Sequence, residues 1–258
     1  MRKGVTALQN VYSIYVLTAL GVTVYYNLLY GFPGDREVEY LTMVSKMRHM
    51  RHLTPPGSVT SVQVTRFSPL AVSPAEFSGR QQVLTHHPWY GLLFPAEYRN
   101  DVGLDLDLIC YYYRNYLHEQ FSPEFISLYL LVENAFHDWY SAFYLKTPLP
   151  KLYYQVGEGG ICFVDERDPA HPKRHEFDSL TASVYPHLIR GPVALPKISA
   201  LLPDYQADEI SAKLDALEAA GLLLRDSDFY LGIAFQEQVY TGDTFSWHAE
   251  LQKSLKTC

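Results

Sequence analysis

The sequence predicts an α/β protein that ends in a winged-helix-like domain. The first supporting observation is a helix–strand–glycine loop–helix rhythm over residues 5–49. The second is a run of three helices followed by a two-stranded hairpin over residues 179–235. The third is composition. Of 258 residues, 48% are hydrophobic and 19% charged, as in globular rather than disordered chains. A chain of this length buries about 70–75% of its unfolded surface.

From the N-terminus, Val5–Leu20 spaces Leu8, Val11, Tyr12, Tyr15, Val16 and Ala19 as a helix, with Gly21 as its stop. Val22–Tyr30 is a β-branched and aromatic run and reads as a strand buried on both faces. Met1-Arg2-Lys3 before an uncharged stretch would also fit a signal or anchor segment. Polar interruptions from Gln9 to Asn27, and no small-x-small cleavage pattern, favour the helix–strand reading. No membrane association is expected, and a cytoplasmic location is. Asp35–His49 reads as the next helix, with Val38, Leu41, Met43, Val44 and Met47 apolar. Ser58–Phe67 reads as a second strand ending in Arg66-Phe67-Ser68-Pro69.

A long aromatic loop is expected through Phe94-Pro95, then helices over Leu104–His118 and Pro123–Leu145. Gly157-Glu158-Gly159-Gly160 between Lys151–Val156 and Ile161–Asp165 is a hairpin signal. Helices follow at Ser179–Ile189, Val193–Leu202 and Ala207–Ala220, closed by Gly221. Leu222–Leu224 and Phe229–Phe235 form the wing. The expected domains are 1–100, 101–150 and 151–258.

Charge and cysteines exclude several functions. The net charge of -7 opposes general phosphate-backbone binding. The candidate recognition helix sets Asp208, Glu209, Asp215 and Glu218 against Lys213 alone, so no nucleic-acid partner is expected. Cys110, Cys162 and Cys258 lie too far apart for a disulfide framework or a cysteine-held metal site. His171 and His175 have i,i+4 spacing, but Pro172 disfavours the helix a zinc pair would need. His86 and His87 are adjacent and point apart, so packing or substrate contact is preferred to metal binding. His137-Asp138 reads as part of a packing helix beside Phe136 and Trp139.

Lys3–Asn10, Tyr26–Gly34, Val64–Pro69, His87–Tyr90, Tyr111–Tyr113 and Ile161–Asp168 together resemble the back half of a radical S-adenosylmethionine protein. The closest type is the cobalamin-binding kind that matures ribosomally made peptides. The resemblance runs through the Leu222–Phe235 hairpin and covers nearly the whole chain. It implies the C-terminal part of a partial (β/α) barrel, then a helical segment and the winged-helix-like domain. It implies S-adenosylmethionine near Asn27, Tyr30, Gly31, Phe32, Pro33, Gly34, Arg66 and Ser68. Asn27 would bond a ligand or be a satisfied core amide. Arg66 would clamp a carboxylate or form a structural ion pair. Gly31–Gly34 would approach the cofactor or make an ordinary β-to-α turn.

The family's C-x-x-x-C-x-x-C loop and its cobalamin domain have no counterpart in these residues, and Asp35 stands where family members usually carry Glu. A [4Fe–4S] cluster and cobalamin are therefore expected only from an N-terminal partner half, with a precursor peptide as substrate and C-methylation as one candidate reaction. Alone, the chain is expected to be inactive. The alternative is a non-catalytic peptide- or partner-binding module derived from that family.

Overall fold

A computed structural model describes residues 4–30, 36–61, 86–111 and 123–241. The fold is mixed α/β, with helices and three small sheets and no closed barrel among the described residues. Two compact units are present. The first contains residues 4–25, 45–56 and 135–241, and the second 26–30, 36–44, 57–61, 86–111 and 123–134.

The first unit opens with α1 (Ala7–Ala19), entered through a capping box in which the Thr6 hydroxyl accepts from Gln9 N and the Gln9 side chain accepts from Thr6 N. Gly21 ends it at φ 69°, the left-handed position the sequence reading assigned to it. Leu8 and Tyr15 are buried, and so is Thr18, whose hydroxyl meets that of Thr54 at 2.9 Å. No helix among the described residues is long and apolar enough to cross a membrane.

Strands β3 (Lys151–Gly157), β4 (Gly160–Glu166) and β5 (Lys173–Phe177) form an antiparallel meander. Glu158-Gly159 makes the first turn, as its glycines predict. The third strand was not expected from the sequence, because Lys173–Phe177 is mostly charged and lies at the sheet edge. Helices α7 (Ser179–Leu188), α8 (Leu195–Leu201) and α9 (Ala207–Ala219) follow. A second sheet consists of β6 (Val193–Ala194), β7 (Leu223–Asp226) and β8 (Phe229–Gly232), in the order β6-β8-β7.

The expected wing strand Phe229–Phe235 is divided. Phe235-Gln236 leaves the hairpin as β9 and pairs in parallel with Tyr153-Tyr154 of β3, giving the order β5-β4-β3-β9. Phe235 is wholly buried and stacks on Tyr15 at 4.7 Å, so side-chain burial accounts for the switch of sheet. One apolar core joins Leu8, Phe163, Tyr185, Leu188, Ile210, Leu214, Leu217 and Leu231.

The second unit contains β1 (Asn27–Tyr30) and β2 (Ser58–Ser61), paired in parallel from Asn27↔Ser58 to Tyr30↔Ser61. Helix α2 (Glu37–His49) connects them and contributes residues to both units. The expected strand Val22–Tyr30 is shorter and not doubly buried. Val22–Tyr26 is not strand, Tyr25 is 82% exposed, and within β1 only Tyr30 is buried. A strand is buried on both faces only where a packed layer, commonly helices, covers each face of its sheet. On α2, Tyr40, Val44 and Met47 are buried, whereas Val38 and Leu41 are exposed, so Tyr40 supplies the inward face expected of its aliphatic neighbours.

The expected loop through Phe94-Pro95 contains one short helix, α3 (Trp89–Leu93), and a second, α4 (Ala96–Val102), follows it and is closed by Gly103 at φ 65°. Of the expected helix Leu104–His118, the described part forms only α5 (Leu106–Ile109). Helix α6 (Pro123–Tyr140), continued by a π turn at Ser141–Leu145, matches its expected span.

Candidate functional site

The sequence-predicted cofactor residues divide between described and undescribed parts of the chain. Gly31, Phe32, Pro33, Gly34, Arg66 and Ser68 lie outside the described residues. Asn27 is exposed at the start of β1, where its Oδ1 accepts from the Ser58 hydroxyl at 2.9 Å. Tyr30, three residues on, is buried. Its ring lies tilted against that of Tyr129 at 4.6 Å, and its hydroxyl donates to Glu133 Oε1 at 3.0 Å. Burial, with help from the neighbouring carboxylate, pushes the Tyr30 hydroxyl up to about 12. His86 meets Asp107 at 2.7 Å, and the His87 ring lies edge-on to Trp89 at 4.9 Å. Asp138 pairs with Arg51 at 3.4 Å, not with its neighbour His137.

A different site emerges in the first unit. A cleft of about 300 Å³ is lined by Arg48, His49, Arg51, Asp165, Arg167, Asp168, His171, Lys173, His175, Ala219 and Ala220. Three pieces of chain build it. Arg48, His49 and Arg51 come from the C-terminal end of α2, and Ala219-Ala220 from that of α9. The rest come from the end of β4 (Asp165), the β4–β5 connection (Arg167, Asp168 and His171) and β5 (Lys173 and His175).

Strand periodicity explains the polarity. Across the β4–β5 register, Ile161 faces Phe177, Phe163 faces His175 and Asp165 faces Lys173. These residues alternate onto one face of the sheet. That face is core at the Phe163 end and becomes the charged cleft at the Asp165–Lys173 end.

Arg167 organises the site. Its Nε donates to Asp165 Oδ1 at 2.8 Å and its Nη2 to Asp165 Oδ2, a bidentate fork. Its Nη1 donates to the carbonyls of His49 at 2.8 Å and Gly221 at 2.7 Å. The guanidinium therefore ties together the C-terminal ends of α2 and α9, where exposed carbonyls favour a cation. Gly221 sits at φ 67°, and a Cβ there would stand against the His49 ring. Burial alone would raise the Asp165 carboxyl, but Arg167 outweighs it and holds it below the ordinary Asp range.

The remaining charges are less fully matched. Asp168 accepts from His171 Nδ1 at 3.0 Å, and this contact chiefly lowers its carboxyl. Arg51 reaches Asp138. Arg48 and Lys173 have no carboxylate partner among the described residues, and the buried His175 Nε2 has no hydrogen-bond partner there. Burial lowers both His49 and His175, and the Arg167 charge adds to the effect. The lining carries four permanent cations against two carboxylates on a chain whose net charge is -7.

Sequence reasoning considered His171 and His175 only as a zinc pair and passed over Arg48, Arg51, Arg167 and Lys173. The available signal was a basic end on a predicted helix, together with Asp165-Glu166-Arg167-Asp168 closing a predicted strand. Their meeting is tertiary. Among the described residues no group of three or more His, Cys, Asp or Glu side chains is arranged to hold a metal ion.

No protein-family model, no curated protein and no solved structure matches the chain.

Proposed function

We propose that the chain is the C-terminal portion of a radical S-adenosylmethionine protein that modifies a peptide. In this reading a separate or preceding half supplies the [4Fe–4S] cluster, and cobalamin where it is used. The observation that carries the reading is the parallel pair β1–β2 joined by α2. A strand–helix–parallel strand unit is the repeat of a (β/α) barrel, whose ligands bind at the C-terminal strand ends. In this chain those ends lead into Gly31–Gly34 and into the stretch with Arg66 and Ser68, the residues that carry the resemblance.

The β6-β8-β7 sheet with α7, α8 and α9 supports the winged-helix reading of the C-terminal region. Its acidic helix α9 supports a protein-facing role, because Lys213 is already paired with Asp178 at 2.7 Å. The second reading is a non-catalytic peptide- or partner-binding module. The cationic cleft favours it, since a binding site there needs no cluster.

The test is the coding sequence upstream of residue 1, read for about two hundred codons, the span of one domain. A C-x-x-x-C-x-x-C loop, in frame or in an adjacent gene, is the expected result. Its absence would transfer the assignment to the binding module.

A further inference from the structure

We infer that the cleft between the ends of α2 and α9 is an anchoring site for an acidic peptide segment, which lies extended along the open edge of β5 with its carboxylates in the cleft. In naming the chemistry of the bound peptide, this rests on the peptide-binding element of the proposed function. Two independent features of the first unit meet at β5.

The first is the sheet edge. β5 closes the order β5-β4-β3-β9, and among the described residues no strand pairs with its far side. An edge strand offers unpaired N–H and C=O groups to any extended chain that can reach it. Lysines on an edge also repel promiscuous pairing. β5 carries Lys173 and Arg174 at its start and Glu176 further on, so at the cleft end that repulsion acts against basic strands and turns into attraction for acidic ones.

The second is the cleft at the start of the same strand. Asp165 is consumed by Arg167, and Asp168 faces His171. Arg48 and Lys173 remain to meet an incoming carboxylate, with the unpartnered His175 Nε2 buried beside them. Successive residues of an extended peptide alternate sides, so acidic residues at every second position would present their carboxylates together. A small inorganic anion would satisfy the charges but leave the edge unpaired.

The experiment uses the full chain and a labelled, end-blocked hexapeptide of alternating glutamate and valine. Its glutamine counterpart, inorganic phosphate and a short DNA duplex are titrated in parallel. Hydrogen exchange is followed over residues 173–177. The acidic peptide is expected to bind and the glutamine peptide to bind at least about tenfold more weakly, with the difference shrinking as salt rises. Arg48→Glu and Lys173→Glu should each weaken binding by about tenfold or more, Lys173→Arg should preserve it, and the bound peptide should slow exchange on β5. Both glutamate variants change surface side chains, and circular dichroism checks their folding. If one fails to fold, the other decides.

Equal binding of the two peptides would overturn the inference. So would binding without slowed exchange on β5, preferential binding of phosphate or duplex, or no binding at all. None of these outcomes depends on S-adenosylmethionine or a cluster, so failure here leaves the radical-enzyme reading standing. Likewise, an upstream sequence without a cluster loop leaves this inference standing.

Discussion

Tyr15 and Tyr185, buried in the first unit, end on backbone groups, whereas Tyr30 at the end of β1 in the second ends on a carboxylate. Tyr185 donates to the Leu222 carbonyl at 3.0 Å and accepts from Ala234 N at 2.8 Å, and Tyr15 donates to the Ala234 carbonyl at 3.3 Å. Tyr30 instead donates to Glu133. A backbone partner neither titrates nor mutates away, so Tyr15 and Tyr185 fix where the Leu222 and Ala234 segments lie. A side-chain partner is exchangeable, which suits a strand whose C-terminal end leads toward the expected cofactor residues. Arg167 extends the same contrast: two of its donors are spent on backbone carbonyls at helix ends.

The largest break in this comparison should come from Arg167→Met. It strands the half-buried Asp165 carboxylate and two helix-end carbonyls, at an expected cost of about 3–5 kcal/mol in urea unfolding. Replacing Asp165 by Asn in the same chain should recover part of that loss. Gly221→Ala should cost about 2–3 kcal/mol, from the left-handed backbone and the His49 ring together. Adding His49→Ala should return the steric share and leave the backbone share. Tyr185→Phe should cost about 2–3 kcal/mol, because it leaves a buried carbonyl and a buried N–H without their partner. Tyr30→Phe should cost only about 1 kcal/mol, and equal losses for the two tyrosines would remove the distinction.

Acid should weaken the first unit through His52. This ring is wholly buried, and its Nε2 donates to the Ile233 carbonyl at 2.7 Å. Burial, aided by Arg167, lowers it from 6.5 to about 3, while Asp165 opposes the shift. Between these values the unfolded chain binds a proton that the folded chain refuses, so stability falls as pH drops below 6.5. At pH 5 the loss is about 2 kcal/mol from this residue. His52→Gln should flatten that part of the pH profile, measured as the urea midpoint at each pH.

Local signals were the most legible in the sequence. Gly21 and Gly221 marked helix ends, Gly157–Gly160 marked a hairpin, and α6, α7 and α9 appeared at nearly their full length from spacing alone. Elements governed by tertiary partners were read less well. β5 is charged because it is an edge, and β9 is too short to carry a period. Val22–Tyr26 is apolar without becoming a strand. The cleft was the least legible feature. Its residues are separated by more than a hundred positions, and nothing local marks Arg167, whose partners at the two helix ends lie far from it in the chain. Asn27 and Tyr30, chosen by resemblance, fall at opposite ends of a four-residue strand, one exposed and one buried.

The proposed function assigns the cluster to a separate or preceding half and none of it to this chain. Anaerobic iron–sulfur reconstitution tests it directly, on the chain alone and on the chain co-expressed with the upstream product. The account predicts no stoichiometric [4Fe–4S] absorbance on the chain alone, and co-purification of the chain with a partner that does bind the cluster. A stoichiometric cluster on the isolated chain would contradict it.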